Sequence, residues 1–220
     1  MAVVLSGGAY RESLVVAALS VAPAPAGSTH AEASTLPMNG LTARLSLDLL
    51  DLPEGATIAV TGAAGAYGGY VVQLAKADGL RVIADASPGD SDLVRELGAD
   101  VVVPRGDDFA SSVREIEPGG VDGLADGAVQ NELVVDAVRD GGAFTSVRGY
   151  QGEAHRDISF PVTVVTEYKL EQAKLDRLRQ QVEEGVITLR VADVYRAEQA
   201  AAAHARLEAG GTRGRCVIEF

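Results

Sequence analysis

From about Ala56 onward the chain switches repeatedly between two hydrophobic periods. Short apolar runs, "TIAV" (57–60), "RVIADA" (81–86), "DVVVP" (100–104), "VDGLADG" (121–127) and "GGAFTSVRG" (141–149), have the length and β-branched content of strands. Between them lie segments whose apolar residues recur every three to four positions, at about 66–78 and in "DSDLVREL", "FASSVREI" and "NELVVDAV". That spacing puts one apolar stripe on a helix. Strand and helix alternating in this way predict a parallel sheet, because parallel neighbours need a crossover long enough to hold a helix. Runs such as "VVV" are apolar at every position, as strands covered on both faces require. The pattern therefore predicts an α/β protein with a doubly wound parallel sheet.

The flanks read differently. Residues 1–22 form two apolar segments, "MAVVL" and "RESLVVAALSV", split by Gly7-Gly8 and ended by Pro23 and Pro25, which predicts short strands. From Ala31 to about Leu49 the spacing is helical, with breaks expected at Pro37 and Gly40. After Gly149 come a polar loop, a strand-like "ISFPVTVV", and a charged helix from Lys169 to about Glu184 stopped by Gly185. The tail reads strand, Ala-rich helix, a Gly210-Gly211 stop and a final strand. Three sections follow: 1–30, 31–165 and 166–220.

The first strand of the alternating region runs into "VTGAAGAYGG" (60–69), and a helix follows. Ala63-x-Gly65-x-x-Gly68 is a dinucleotide fingerprint with Ala in the first glycine's place. Gly62 and Gly65 let a pyrophosphate approach the backbone, Gly68 lets helix and strand pack closely, and Ala66 opens a helix whose N–H groups face the phosphates. Asp85, 17 residues past Gly68 at the end of the second strand, is placed to accept from ribose hydroxyls, which favours NAD. Ser87 beside it would serve a 2'-phosphate, which favours NADP. Two aspartates precede the next basic residue, Arg95, so a 2'-phosphate would need Arg81 or a base distant in sequence. The fold read from this motif is the Rossmann type, and the cofactor choice stays open between NADH, NADPH and none.

Composition narrows the function classes. Thirty-one acidic against 19 basic residues give a net charge of −12, which opposes nucleic acid and anionic membrane surfaces as partners. No apolar run reaches the roughly 20 residues that span a bilayer. The single cysteine, Cys216, excludes an intrachain disulfide, and His30, His155 and His204 lack ligand spacing, so no metal site is expected. A reducing, cytoplasmic setting fits best. "LVVAALSVAPAPA" (14–26) imitates the apolar core and cleavage site of a secretion signal, but Arg11 and Glu12 cancel where a basic region belongs.

"TLPMNGLTA" (35–43), "GATIAVTGAAGAYGGYVVQLAKADGLRVIADAS" (55–87), "LVRELGADVVV" (93–103), "GGAFTSVRG" (141–149) and "AAAAHARLEAGGTRGRCVIEF" (200–220) together resemble the medium-chain dehydrogenase/reductase superfamily, in its zinc-independent quinone oxidoreductase and enoyl reductase branch. The resemblance runs over nearly the whole chain. It implies a GroES-like barrel domain at the front, a Rossmann domain, and a C-terminal return to the barrel. "GGAYRESLVVAA" looks like the end of the first barrel segment, so most of that domain is expected to be missing and both termini to form a small β remnant. The same resemblance implies a homodimer and a small-molecule substrate held in a cleft.

By that resemblance Tyr67 falls where the family has a small residue against the nicotinamide. Three readings stay open for it: a ring turned into the domain interface, a ring filling the nicotinamide's place, or stacking and a direct catalytic part. Asp126, Arg148 and Gly149 would lie near the cofactor, while Arg148, Tyr150 and His155 would orient or protonate a carbonyl. Asn39 and Thr42 would face the cleft. The function implied is an NAD(P)-dependent reductase acting on a small conjugated carbonyl compound. Two alternatives keep the fold: a cofactor-independent lyase, isomerase or cyclase in the vacated cleft, or a non-catalytic accessory subunit.

Overall fold

A computed structural model describes residues 1–2, 8–153 and 156–220. The chain folds as two compact units, residues 42–164, and residues 1–41 together with 165–220.

The 42–164 unit holds a five-stranded sheet in the order β3-β2-β1-β4-β5. Its strands are β1 (Thr57–Thr61), β2 (Arg81–Ala86), β3 (Val101–Pro104), β4 (Val121–Asp126) and β5 (Val138–Ser146), and all pair in parallel. The helices between them are α2 (Ala66–Ala77), α3 (Ser91–Glu96), α4 (Phe109–Ile116) and a single turn, α5 (Glu132–Val135). Side chains alternate across the sheet. Ala59, Ile83, Leu124 and Phe144 pack on one face with Phe109 and Val113 of α4, and Ile58, Val60, Val82 and Ala84 on the other are equally buried. Burial on both faces is what the continuous apolar runs anticipated, and the doubly wound α/β fold is confirmed.

The expected strand at 158–165 is a correction. Only Ser159 bridges β5, in parallel with Ala143, donating to Gly142 O (2.9 Å) while its own carbonyl accepts from the Phe144 N–H (2.8 Å). Pro161 has no N–H to carry the ladder further.

Helix α1 (His30–Leu50) corrects a second expectation, since it runs unbroken through Pro37 and Gly40. Thr29 and Glu32 start it with a reciprocal capping box, the Glu32 N–H donating to Thr29 Oγ1 (3.2 Å) and the Thr29 N–H to Glu32 Oε2 (2.8 Å). An interior proline costs about 3 kcal/mol. Burial of Leu36, Leu41, Ala43, Leu45 and Leu47 outweighs it. Gly40 admits a close neighbour: a Cβ there would sit 3.2 Å from Leu178 Cδ1 on α6 (Gln172–Glu183).

In the unit formed by both ends of the chain, β6 (Val191–Arg196) and β7 (Arg215–Glu219) pair in parallel around α7 (Ala200–Glu208). The segment "RESLVVAALSV" forms no strand: Ala2 bridges Val21, a 3-10 turn spans Ala18–Ser20, and Val15 is fully exposed. The rest of "MAVVL" lies outside the described residues. Tyr10 ties this segment to the tail, its hydroxyl 2.7 Å from His204 Nε2 and its ring 6.3 Å from that of Phe220.

Candidate dinucleotide site

In an open α/β sheet a ligand lies beyond the carboxyl ends of the strands, where the winding reverses. Here that point lies between β1 and β4. Two loops meet there, the Gly-rich turn after β1 and residues 127–131 after β4.

The turn is folded tightly on itself. Gly65 donates its N–H to Gly62 O (2.9 Å), and Gly62 takes φ +66°, which favours glycine. A Cβ on Gly68 would come within 2.7 Å of Gly62 C and 2.9 Å of Ala63 Cα, and one on Gly62 within 3.0 Å of Gly127 C. Only glycine fits at either place. Gly65 and Ala66 open α2, which no side chain caps, so its first turn presents N–H groups and the positive end of a helix dipole.

Two buried aspartates brace these loops. Asp85 accepts the Ala63 N–H at Oδ1 (2.9 Å) and is 3% exposed. Burial raises its carboxyl above the ordinary value, while the Ala63 and Gly62 N–H groups and the Arg105 charge oppose that rise. Asp126 is wholly buried. It accepts the Thr61 hydroxyl at Oδ1 (2.6 Å) and the Asn131 N–H at Oδ2 (2.8 Å), and Thr61 Oγ1 accepts in turn from the Ala128 N–H (3.1 Å). The second loop is strained, with Val129 at φ +58° and Asn131 at φ +54°. Gln130 Oε1 and Asn131 Oδ1 are buried there without a hydrogen-bond donor. Backbone strain and acceptors without a protein donor coincide in this loop.

Tyr67, in the first turn of α2, lies against this second loop. A Cβ on Gly127 would stand 2.9 Å from its Cδ1. Its hydroxyl donates to Ser46 Oγ on α1 (2.8 Å). Ser46 Oγ lies 2.9 Å from Thr42 O and 3.1 Å from Thr163 Oγ1, and Thr163 Oγ1 lies 2.6 Å from Thr145 Oγ1, which donates to Pro161 O (3.0 Å). Burial raises the phenol far above its ordinary value, with Ser46 opposing and the Asp126 charge adding.

The remaining candidates are scattered. Ser87 donates to Asp90 at the start of a 3-10 turn. Arg81 lies at the amino end of β2 and pairs with Glu117, so it points away from the ligand end of the sheet. Arg148 is exposed on the turn after β5, which Gly149 closes at φ +69°. Tyr150 packs with Phe144 and Phe160 at ring distances of 5.6 and 5.9 Å, on the α4 face of the sheet. Burial and the charges of Glu132 and Glu153 raise its phenol. His155 lies outside the described residues.

Residues that sequence reasoning missed are Ser46, Thr61, Thr145 and Thr163, single hydroxyls without a motif, and Arg105. The Arg105 N–H donates to Ala86 O (3.0 Å), which puts this exposed base beside the end of β2 and near Asp85.

Residues 97–218 match the family model described as zinc-binding dehydrogenase. The chain belongs to this family, within the medium-chain dehydrogenase/reductase superfamily. Over 144 residues, 64% of this chain and 36% of the relative, it is 33% identical to a 2-methylene-furan-3-one reductase of Solanum lycopersicum. Among solved structures, an NAD-dependent alcohol dehydrogenase superposes at a TM-score of 0.84 with 28% identity, covering 97% of this chain and 65% of that one. A mycobacterial protein solved with NADPH gives 0.81 at 26% identity, covering 92% and 69%. The chain thus spans about a third of the first relative and about two thirds of these two solved structures. The zinc of the family's description does not fit the donor set: among the described residues no three His, Cys, Asp or Glu come together as metal ligands. Nor is any described helix long and apolar enough to cross a membrane.

Proposed function

We propose that the 42–164 unit binds a nicotinamide dinucleotide and that the protein is an NAD(P)H-dependent reductase of small conjugated carbonyl compounds. The observation that carries this reading is the cradle at Gly62, Gly65 and Gly68, which admits no side chain at Gly62 or Gly68, in front of the uncapped first turn of α2. Backbone N–H groups of that turn bind the pyrophosphate, and Asp85 and Asp126 fix the two loops around it. Arg105 meets a 2'-phosphate, which favours NADPH over NADH, because the Asp85 carboxylate is already engaged with the turn. The bound cofactor supplies hydride. Arg148, exposed at the carboxyl end of β5, orients the substrate carbonyl by a charge-assisted hydrogen bond. Two similarities support the reaction class, a relative whose named substrate carries a methylene beside a ketone and a solved neighbour holding NADPH.

The test is consumption of NADPH by the purified protein with a panel of enones and quinones. Turnover is expected, with kcat lowered roughly 100-fold in Arg148→Ala. No consumption of NADPH or NADH with either substrate class overturns the reading.

A further inference from the structure

The hydroxyl chain at Tyr67 has no part in holding a pyrophosphate. Its donors run from Tyr67 to Ser46, and its remaining contacts end on the carbonyls of Thr42 and Pro161. Neither carbonyl can supply a proton, so the chain is no relay, and it feeds no acid catalyst. What it does is fix one ring in one place. Ser46 is fully buried, so a hydrogen bond to its Oγ is shielded from water and holds the phenol firmly.

The place is informative. A dinucleotide crosses a doubly wound sheet at the reversal point with one nucleotide on each side. The Gly-rich turn, β2 and Arg105 lie on the β1 side, where the adenosine half belongs. Gly127 closes the β4 side, where the nicotinamide half belongs, and the Tyr67 ring lies directly on it. Resting on the function proposed above, we infer that Tyr67 is a latch on the nicotinamide half of the crevice. Held on Gly127 by Ser46, its ring must swing away before a whole dinucleotide enters, while the adenosine half binds with the latch closed. Tyr67 therefore sets affinity for the nicotinamide end alone.

A ligand that needs a minor open state binds more weakly by the fraction of molecules open. With an open state on the order of 1–10%, Tyr67→Val tightens whole dinucleotides about 10-fold or more. Tyr67→Phe keeps the ring and loses the hydroxyl bond, so it tightens them about 2- to 10-fold.

Calorimetric titration of wild type and both variants tests this, with NADH against ADP-ribose and NADPH against 2'-phospho-ADP-ribose. The expected result is tighter dinucleotide binding in the order Val, Phe, wild type, with the ribose fragments unchanged and serving as proof of folding. Three results overturn the latch. If fragments and dinucleotides bind alike in all three proteins, the ring blocks nothing, and the proposed function survives. If the variants lose the fragments too, Tyr67 only supports the turn. If wild type and variants bind neither fragments nor dinucleotides, the proposed function fails along with the latch.

Discussion

Asp85 was expected to accept from a ribose, and its Oδ1 instead accepts from the Gly-rich turn that would hold the phosphates. The residue type and position were legible in the sequence, since an acidic side chain ending the second strand follows from the motif. Its direction was not, because a strand-end side chain points by pleat and a one-residue difference reverses it. Arg105 escaped notice for a related reason: it lies 20 residues from Asp85 in sequence and reaches it only across the β2 and β3 ends. If Arg105 meets a 2'-phosphate, Arg105→Ala weakens NADPH binding by about 10-fold or more, the loss of a charge-assisted hydrogen bond, and leaves NADH unaffected. Equal weakening of both in calorimetry would show that the guanidinium acts on Asp85 or the fold instead. Tyr150 is the counterpart among the aromatics. Nothing in the order of residues after β5 says which sheet face an aromatic takes, and Phe144 and Phe160 draw this one to the α4 side.

At the level of elements, the alternating region was read well because two hydrophobic periods differ sharply when strands are buried on both faces. The departures have different causes: packing overrides local preference in α1, a missing N–H at Pro161 ends the ladder after Ser159, and the exposed segment around Val15 has no sheet to join among the described residues. Helix α1 keeps its course through Pro37, and the expected strand at 158–165 shrinks to one bridge at Ser159. How the strands are tied at their amino ends is testable. Asp122 on β4 accepts the Thr57 N–H of β1 (2.8 Å) and the Arg139 guanidinium of β5 (2.7 Å). Burial pushes its carboxyl up, and these two donors outweigh that, holding it below the ordinary value. A carboxylate with a lowered folded value stabilises above its unfolded value, about 3.9, and loses that contribution as pH falls through the folded one. Asp122→Asn should therefore be less stable than wild type at pH 7, with the gap closing on acidification toward pH 2. Urea unfolding at both ends of that range measures it, and a gap independent of pH would remove the charge from the account.

For the molecule as a whole, family and fold were legible, and the chemistry only in part. The fingerprint specifies a backbone cradle, because its glycines mark places where a Cβ collides. What the cradle's other half admits depends on the Tyr67 ring and on hydroxyls from α1, β5 and residue 163, and no spacing rule announces that assembly. The central claim is that the cradle formed by Gly62, Gly65 and Gly68 holds a dinucleotide. It is tested most directly by calorimetric titration of NADPH into wild type and Gly68→Ala, each checked for a folded far-ultraviolet spectrum. Saturable binding by wild type is expected, and its loss in Gly68→Ala, where the new Cβ would stand 2.7 Å from Gly62 C. Equal binding by the two folded proteins, or none by wild type, would contradict it.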